Sequence, residues 1–291
     1  MGSATHDFVL TLSCSDSKGI VHSVSGVLYQ AGCNILDSQQ FGDAATGLFF
    51  MRVHFRAPAH LDDADRVQWL FADLRQRFGM DTRVHALARR ERVLIAVSRQ
   101  AHCLNDLLFR WRAGQMPMEV VGVVSNHGDC AALAAHYEVP FHHLALPAGA
   151  DAATRRAQEQ RIEQLMHEGR VELLVLARYM QILSSPFCER LDGRAINIHH
   201  SFLPSFKGAR PYQQAHERGV KLIGATAHYV TAELDEGPII EQDVQRVDHA
   251  LDVAGLTAAG QDVETQVLAR AVRWHVEHRI LRNGHKTVVF K

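Results

Sequence analysis

The sequence predicts an α/β protein in two parts: a small α+β sandwich, then a larger domain with a mostly parallel sheet. Three observations carry this. Between Phe8 and Leu87 the apolar residues follow strand and helix periods in the order β-α-β-β-α-β. From Val93 onward, short continuous apolar runs alternate with helical patterns, as parallel strands covered on both faces require. The length of 291 residues and an apolar content of 47% suit two domains with real cores.

In the first part, Phe8–Cys14 alternates as a half-buried strand does and runs into the turn-prone Asp16-Ser17-Lys18-Gly19. Ile20, Val21, Val24, Val27 and Leu28 recur at helical spacing, and Gly32 ends that helix. Asn34-Ile35-Leu36 restarts an extended segment, a turn spans Gly42–Gly47, and Gly47–Phe55 reads as a strong strand. Val67, Leu70, Phe71, Leu74 and Phe78 share one face of a helix expected over Arg66–Phe78, and Asp81–Leu87 closes the sheet.

The charged break Ala88-Arg89-Arg90-Glu91-Arg92 separates domains expected at 1–88 and 93–291. Beyond it, strands are expected at Val93–Val97, Val120–Val124, Pro140–Leu144, Val171–Leu176 and Ala195–Ile198. Helices are expected at Asn105–Arg112, Ala131–Tyr137 and Ala152–His167, with a short one from Pro186. Val263–Leu281 reads as an amphipathic helix and Thr287–Phe290 as an edge strand, both serving packing. The architecture is Rossmann-like, yet the first β-to-α connection, Ser98–Asn105, contains no glycine, which excludes a dinucleotide fingerprint.

Composition narrows the function. A formal net charge of −1 offers no general attraction for nucleic acid or an anionic membrane. Five cysteines without a C-x-x-C pair point to reduced thiols in a cytoplasmic setting. No apolar run reaches the roughly 20 residues of a membrane span, and the N-terminus lacks the pattern of a signal peptide. Nineteen histidines are many, but they lack metal-ligand spacing; the adjacent pairs His142-His143 and His199-His200 would point oppositely on a strand. No metal is expected.

The chemistry concentrates in Arg194–Asp243. Ala195–Ile198 delivers an amide, Asn197, and an imidazole, His199, at alternate positions, hence on one side of an extended chain. They fall at a strand's carboxyl end, where open α/β sheets place ligands. Asp235 follows in an Asp-Glu-Gly turn between two further apolar runs. An amide donor, a proton-transfer group and a carboxylate are what acyl transfer needs. Taken singly, each also fits a local role: a strand end, a local hydrogen bond, a turn. His228, before Asp235, is equally readable as a supporting partner or as a satisfied core histidine.

Two resemblances add to this. D-x-x-G-I-V with a helix after it, then G-C-N-I, resembles the ACT-type regulatory domain, which implies an amino-acid effector near Asp16, Gly19, Gly32 and Asn34. Helix capping by Asp16 and backbone geometry at the two glycines account for the same residues. N-I-H-H-S-F-L-P-S-F with D-E-G-P-I-I downstream resembles the formyltransferase fold that uses 10-formyltetrahydrofolate. With an ACT-like domain attached, nearly the whole chain is similar to the formyltetrahydrofolate deformylases.

That resemblance implies catalysis by Asn197, His199 and Asp235. Asn197 and His199 would stabilise the formyl oxyanion and Asp235 would activate water. It implies folate contacts at Leu176, Tyr179, Met180, Gln181, Ile182, Leu183, Val230, Thr231 and Leu234, with no cofactor beyond the folate substrate. Glycinamide-ribonucleotide transferases carry a glycine-rich phosphate loop where this chain has Arg99–Leu104, and initiator-tRNA formyltransferases carry a further C-terminal domain; both departures favour water as acceptor. Transfer to an amine, or folate binding without chemistry, are the rival readings. A homo-oligomer joined through the ACT-like sheets is expected.

Overall fold

The computed structural model describes residues 5–203 and 211–291. The motif segment Pro204–Arg210 lies outside the described residues. The chain forms two compact units. One comprises Met1–Arg90 with Glu277–Asn283 and Thr287–Lys291; the other comprises Glu91–Val276 with Gly284–Lys286.

The first unit contains β1 (Thr5–Ser15), α1 (Ile20–Gln30), β2 (Asn34–Asp43), β3 (Leu48–Pro58), α2 (Ala64–Trp69), α3 (Ala72–Phe78) and β4 (Asp81–Ala86). Its antiparallel sheet has the order β2-β3-β1-β4. Alternate residues of β1 and β3 (Phe8, Leu10, Leu12; Met51, Val53, Phe55) form one core with Val24 and Leu28 of α1 and Val67 and Leu74 of the later helices. The single helix expected at Arg66–Phe78 is two short ones, broken at Leu70–Phe71. Apolar spacing cannot separate these cases, because the break leaves Val67, Phe71 and Leu74 on one buried face.

The C-terminal tail departs from the expected division at 93. The hairpin β12 (Ile280–Asn283) and β13 (Lys286–Val289) follows Val276. Leu281, Val288 and Phe290 pack on Phe50, a residue of β3 whose side chain faces away from the main core. Arg52, two positions on, donates to the carbonyls of His278 (3.1 Å) and Glu277 (3.1 Å). The second face of β3 is too apolar to stay wet, and the tail covers it.

The second unit contains β5 (Glu91–Val97), α4 (His102–Arg112), β6 (Met118–Ser125), α5 (Ala131–His136), β7 (Phe141–His143), α6 (Ala152–Glu168), β8 (Leu173–Leu176), α7 (Ser185–Arg190), β9 (Ala195–His199), α8 (Pro211–Glu217), β10 (Leu222–Tyr229), β11 (Ile239–Arg246) and α9 (Val253–Val276). The sheet order is β11-β10-β9-β8-β5-β6-β7. Strands β5 to β9 pair in parallel; β10 and β11 are antiparallel additions. The strand order reverses between β5 and β8, and such a switch point opens a crevice at the strands' carboxyl ends. There, buried Ser98 ties three strand ends together: its hydroxyl donates to Asn126 (2.7 Å) and accepts from the Met180 N–H (2.9 Å), and its own N–H donates to the Arg178 carbonyl (3.2 Å). No described helix is long and apolar enough to cross a membrane.

Candidate active site

Strand β9 places Asn197 and His199 on one side, as alternation requires, while Ile196 and Ile198 are buried on the other. Antiparallel pairing sets His228 of β10 opposite Asn197 and Thr226 opposite His199. The loop from β10 to β11 then carries Asp235 back over the same side. Asp235 sits at φ +58°, an uncommon conformation for a non-glycine residue. Two positions on, the Tyr229 N–H donates to the Pro238 carbonyl (3.0 Å), so tightly that a Cβ on Gly237 would lie 1.7 Å from the Tyr229 oxygen. Only glycine fits there.

The result is a cluster of four polar groups. His199 Nδ1 lies 3.2 Å from Asp235 Oδ2, and His228 Nε2 lies 3.6 Å from Asp235 Oδ1. Asn197 Nδ2 lies 3.2 Å from His228 Nε2. His228 Nδ1 faces the Tyr229 carbonyl at 2.9 Å, so Nδ1 carries the proton and, in the neutral ring, Nε2 accepts from Asn197. Burial alone would raise the Asp235 carboxyl, but the hydrogen bond from His199 and the proximity of the two imidazoles hold it well below the usual carboxylate range. His199 Nε2, on the far side of that ring, is buried without a hydrogen-bond partner among the described residues.

His200 does not point away from His199 as strand alternation suggested. The strand ends at His199, the chain turns, and the two rings stack with centroids 5.1 Å apart. Burial, with the charges of Arg178 and His199, pushes His200 down to about 4. The turn is held by fully buried Thr226, whose hydroxyl donates to the Ser201 carbonyl (2.9 Å) and accepts from the Leu203 N–H (3.1 Å) and Gln242 Nε2 (3.0 Å).

The expected folate positions divide into two groups. Leu176, Tyr179 and Val230 are buried in one core cluster, with Leu183 packed against it, and the Tyr179 hydroxyl donates to Gln158 (3.1 Å). Met180, Ile182 and Leu234 are exposed apolar side chains; Gln181 and Thr231 are intermediate. In the first unit, Asp16, Gly19, Gly32 and Asn34 are all exposed. Asp16 does not cap α1: Gly19 holds the N-cap position, with no side-chain hydrogen bond. Gly32, at φ +72°, ends α1 with paired bonds from the Cys33 N–H to Leu28 and its own N–H to Tyr29, so backbone geometry accounts for it.

Sequence reasoning missed a second buried network. Glu264 of α9, fully buried, is bonded by His102 Nε2 (2.8 Å), the Tyr212 hydroxyl (2.5 Å) and Arg178 Nε (3.3 Å). One signal was visible: a lone carboxylate on the apolar stripe of α9, one turn from Gly260 and from Leu268. His102, Cys103 and Glu264 also cluster closely enough for a metal ion. The donor set fits one poorly. Arg178 already neutralises the Glu264 carboxylate, and burial pushes the Cys103 thiol far up, away from the thiolate a metal needs.

A mostly parallel α/β sheet with an amide, two imidazoles and a carboxylate at its strand ends, preceded by a βαββαβ sandwich, defines a formyl transferase domain coupled to an ACT domain. The family model for formyl transferase matches residues 91–272, and the one for the ACT domain matches residues 6–85. The chain belongs to the formyltetrahydrofolate deformylase family. It is 47% identical to the formyltetrahydrofolate deformylase of Corynebacterium sp. (strain P-1), over 97% of this chain and 98% of that one. The crystal structure of the Burkholderia mallei formyltetrahydrofolate deformylase superposes with a TM-score of 0.91 at 49% identity, over 98% of this chain and 100% of that one. Glycinamide ribonucleotide transformylase 1 from Symbiobacterium toebii shares the fold over 69% of this chain and 95% of its own, with a TM-score of 0.64 and 30% identity.

Proposed function

We propose that this chain hydrolyses 10-formyltetrahydrofolate to formate and tetrahydrofolate at the Asn197–His199–Asp235 cluster. The observation that carries the reading is the buried Nε2 of His199, which has no hydrogen-bond partner among the described residues, backed by Asp235 at 3.2 Å from Nδ1. Water attacks the formyl carbon and its proton passes to His199 Nε2. Asp235, held ionised, is a weak base; it orients His199 and stabilises the imidazolium. This departs from the role expected from sequence, in which Asp235 took the proton itself. Asn197 gives one N–H to His228 and turns the other to the oxyanion. As the C–N10 bond breaks, His199 returns the proton to N10, and formic acid leaves. The exposed Met180, Ile182 and Leu234 are the apolar side chains that a folate ring would cover.

The ACT unit suits an amino-acid effector at Asp16–Gly19, where the first turn of α1 starts without a side-chain cap. A homo-oligomer through exposed edge strand β2 is part of the same reading. Transfer to an amine remains the second reading, because a transformylase shares the fold. The test is formate release from 10-formyltetrahydrofolate with no amine present. Steady turnover supports hydrolysis; formate-free mixtures that turn over only with an added amine overturn it.

A further inference from the structure

The buried network around Glu264 lies where the sheet's ligand crevice opens. Gln100 and His102 follow β5, Arg178 follows β8, and these are the two strands that flank the switch point. Arg178 Nε reaches Gln100 (2.9 Å) and Glu264 (3.3 Å), so one guanidinium bridges both strand ends to α9. Tyr212 of α8 closes the same space, its ring fitting only because position 260 is glycine: a Cβ there would lie 2.2 Å from the ring. His200 connects this network to the reaction centre. It stacks on His199, and the charges of Arg178 and Glu264 both act on it.

The arrangement is costly. Arg178 adopts φ +65°, disfavoured for any residue but glycine, and its Nη1 is buried without a partner among the described residues. Glu264 is wholly removed from water, and buried ion pairs rarely outperform apolar packing in stability. Stability is therefore a poor reason for the network.

We propose that Arg178, Glu264, His102 and Tyr212 determine acceptor specificity: they fill the switch-point crevice beside His199 and His200, leaving water as the acceptor that fits. The inference rests on the hydrolase reading above. With the network removed, a small amine enters; its nitrogen bonds to the formyl carbon, the C–N10 bond breaks, and the amine's proton passes through His199 to N10.

The test measures partition. Full-length enzyme turns over 10-formyltetrahydrofolate with hydroxylamine present, and N-formylhydroxylamine and formate are both quantified against enzyme-free controls. The wild type is expected to yield formate with little formylhydroxylamine. Arg178→Gly combined with Glu264→Gln removes the bridge at a backbone position that suits glycine, and the amide retains partners for Tyr212 and His102. The product ratio is expected to rise at least ten-fold. It is a property of active molecules, so a partly unfolded sample does not shift it. An unchanged ratio overturns the proposal. Should the double variant not turn over, Tyr212→Ala, which opens the space against Gly260, carries the same prediction and the same refutation. Wild-type enzyme releasing no formate without an amine overturns the hydrolase reading instead, and is seen before any variant is made.

Discussion

Replacing Asp235 by asparagine isolates the charge in the site. The amide can present its oxygen to His199 Nδ1, 3.2 Å away, and its nitrogen toward His228 Nε2, 3.6 Å away, so geometry and tautomers survive. What is lost is the attraction between a carboxylate and the imidazolium proposed to form on His199. Charges about 4 Å apart attract by about 4 kcal/mol at an effective dielectric of about 20, and both side chains are largely buried, 10% and 15% exposed. At about 1.4 kcal/mol per decade, kcat should fall about 1,000-fold. KM should hold within about three-fold, because Asp235 contacts histidines and not substrate. The assay is formate release at saturating 10-formyltetrahydrofolate, with folate binding measured separately. A kcat within ten-fold of wild type would refute the assigned role. Stability has a defined sign as well. A carboxyl held below its ordinary 3.8 in the native state stabilises fully above that value. That contribution disappears as pH falls further, so wild type and variant converge only in strong acid.

Two further predictions rest on other features. Gly237→Ala puts a methyl group 1.7 Å from the Tyr229 carbonyl oxygen, which no side-chain rotation relieves. The loop carrying Asp235 must shift, and an approximately 100-fold loss of kcat with a lowered Tm is expected; full activity in the variant would show that the loop's placement is not limiting. In the first unit, burial, with the charges of Arg83, Arg89 and Arg52, pushes His85 from 6.5 down to about 4, and its ring stacks on His278 at 3.6 Å. The unfolded chain binds this proton first, so His85 costs stability as pH falls from 6.5 to 4 and costs nothing above that window. With partial exposure the loss is about 1–3 kcal/mol. Chemical denaturation across that range should show a flatter profile for His85→Gln; parallel profiles would sink the assignment.

The periodic parts of the chain were legible because burial imposes them. Continuous apolar runs marked β5, β6, β8 and β9, and alternation marked β1, with ends differing by a few residues. Period two put Asn197 and His199 on one side of the chain, and the family resemblance joined Asp235, in its Asp-Glu-Gly turn, to them. Where periodicity is blind, the reading failed. A helix and a broken helix bury the same stripe, so α2 and α3 looked like one.

Contacts between distant segments have no local signature, and these only the tertiary structure decided. His228 became a partner of Asn197 and Asp235 through the register of β10 on β9. The tail after Val276 joined the first unit because Phe50 and Arg52 sit on a face that residues 5–90 leave uncovered. The Glu264 network assembles groups from the β5 and β8 ends and from two helices, with Tyr212 and Glu264 52 residues apart. The sequence by itself determined the two domain types and marked the candidate site side chains, because hydrophobic period and a dense motif are local. Which groups surround those side chains depended on long-range closure of the sheet.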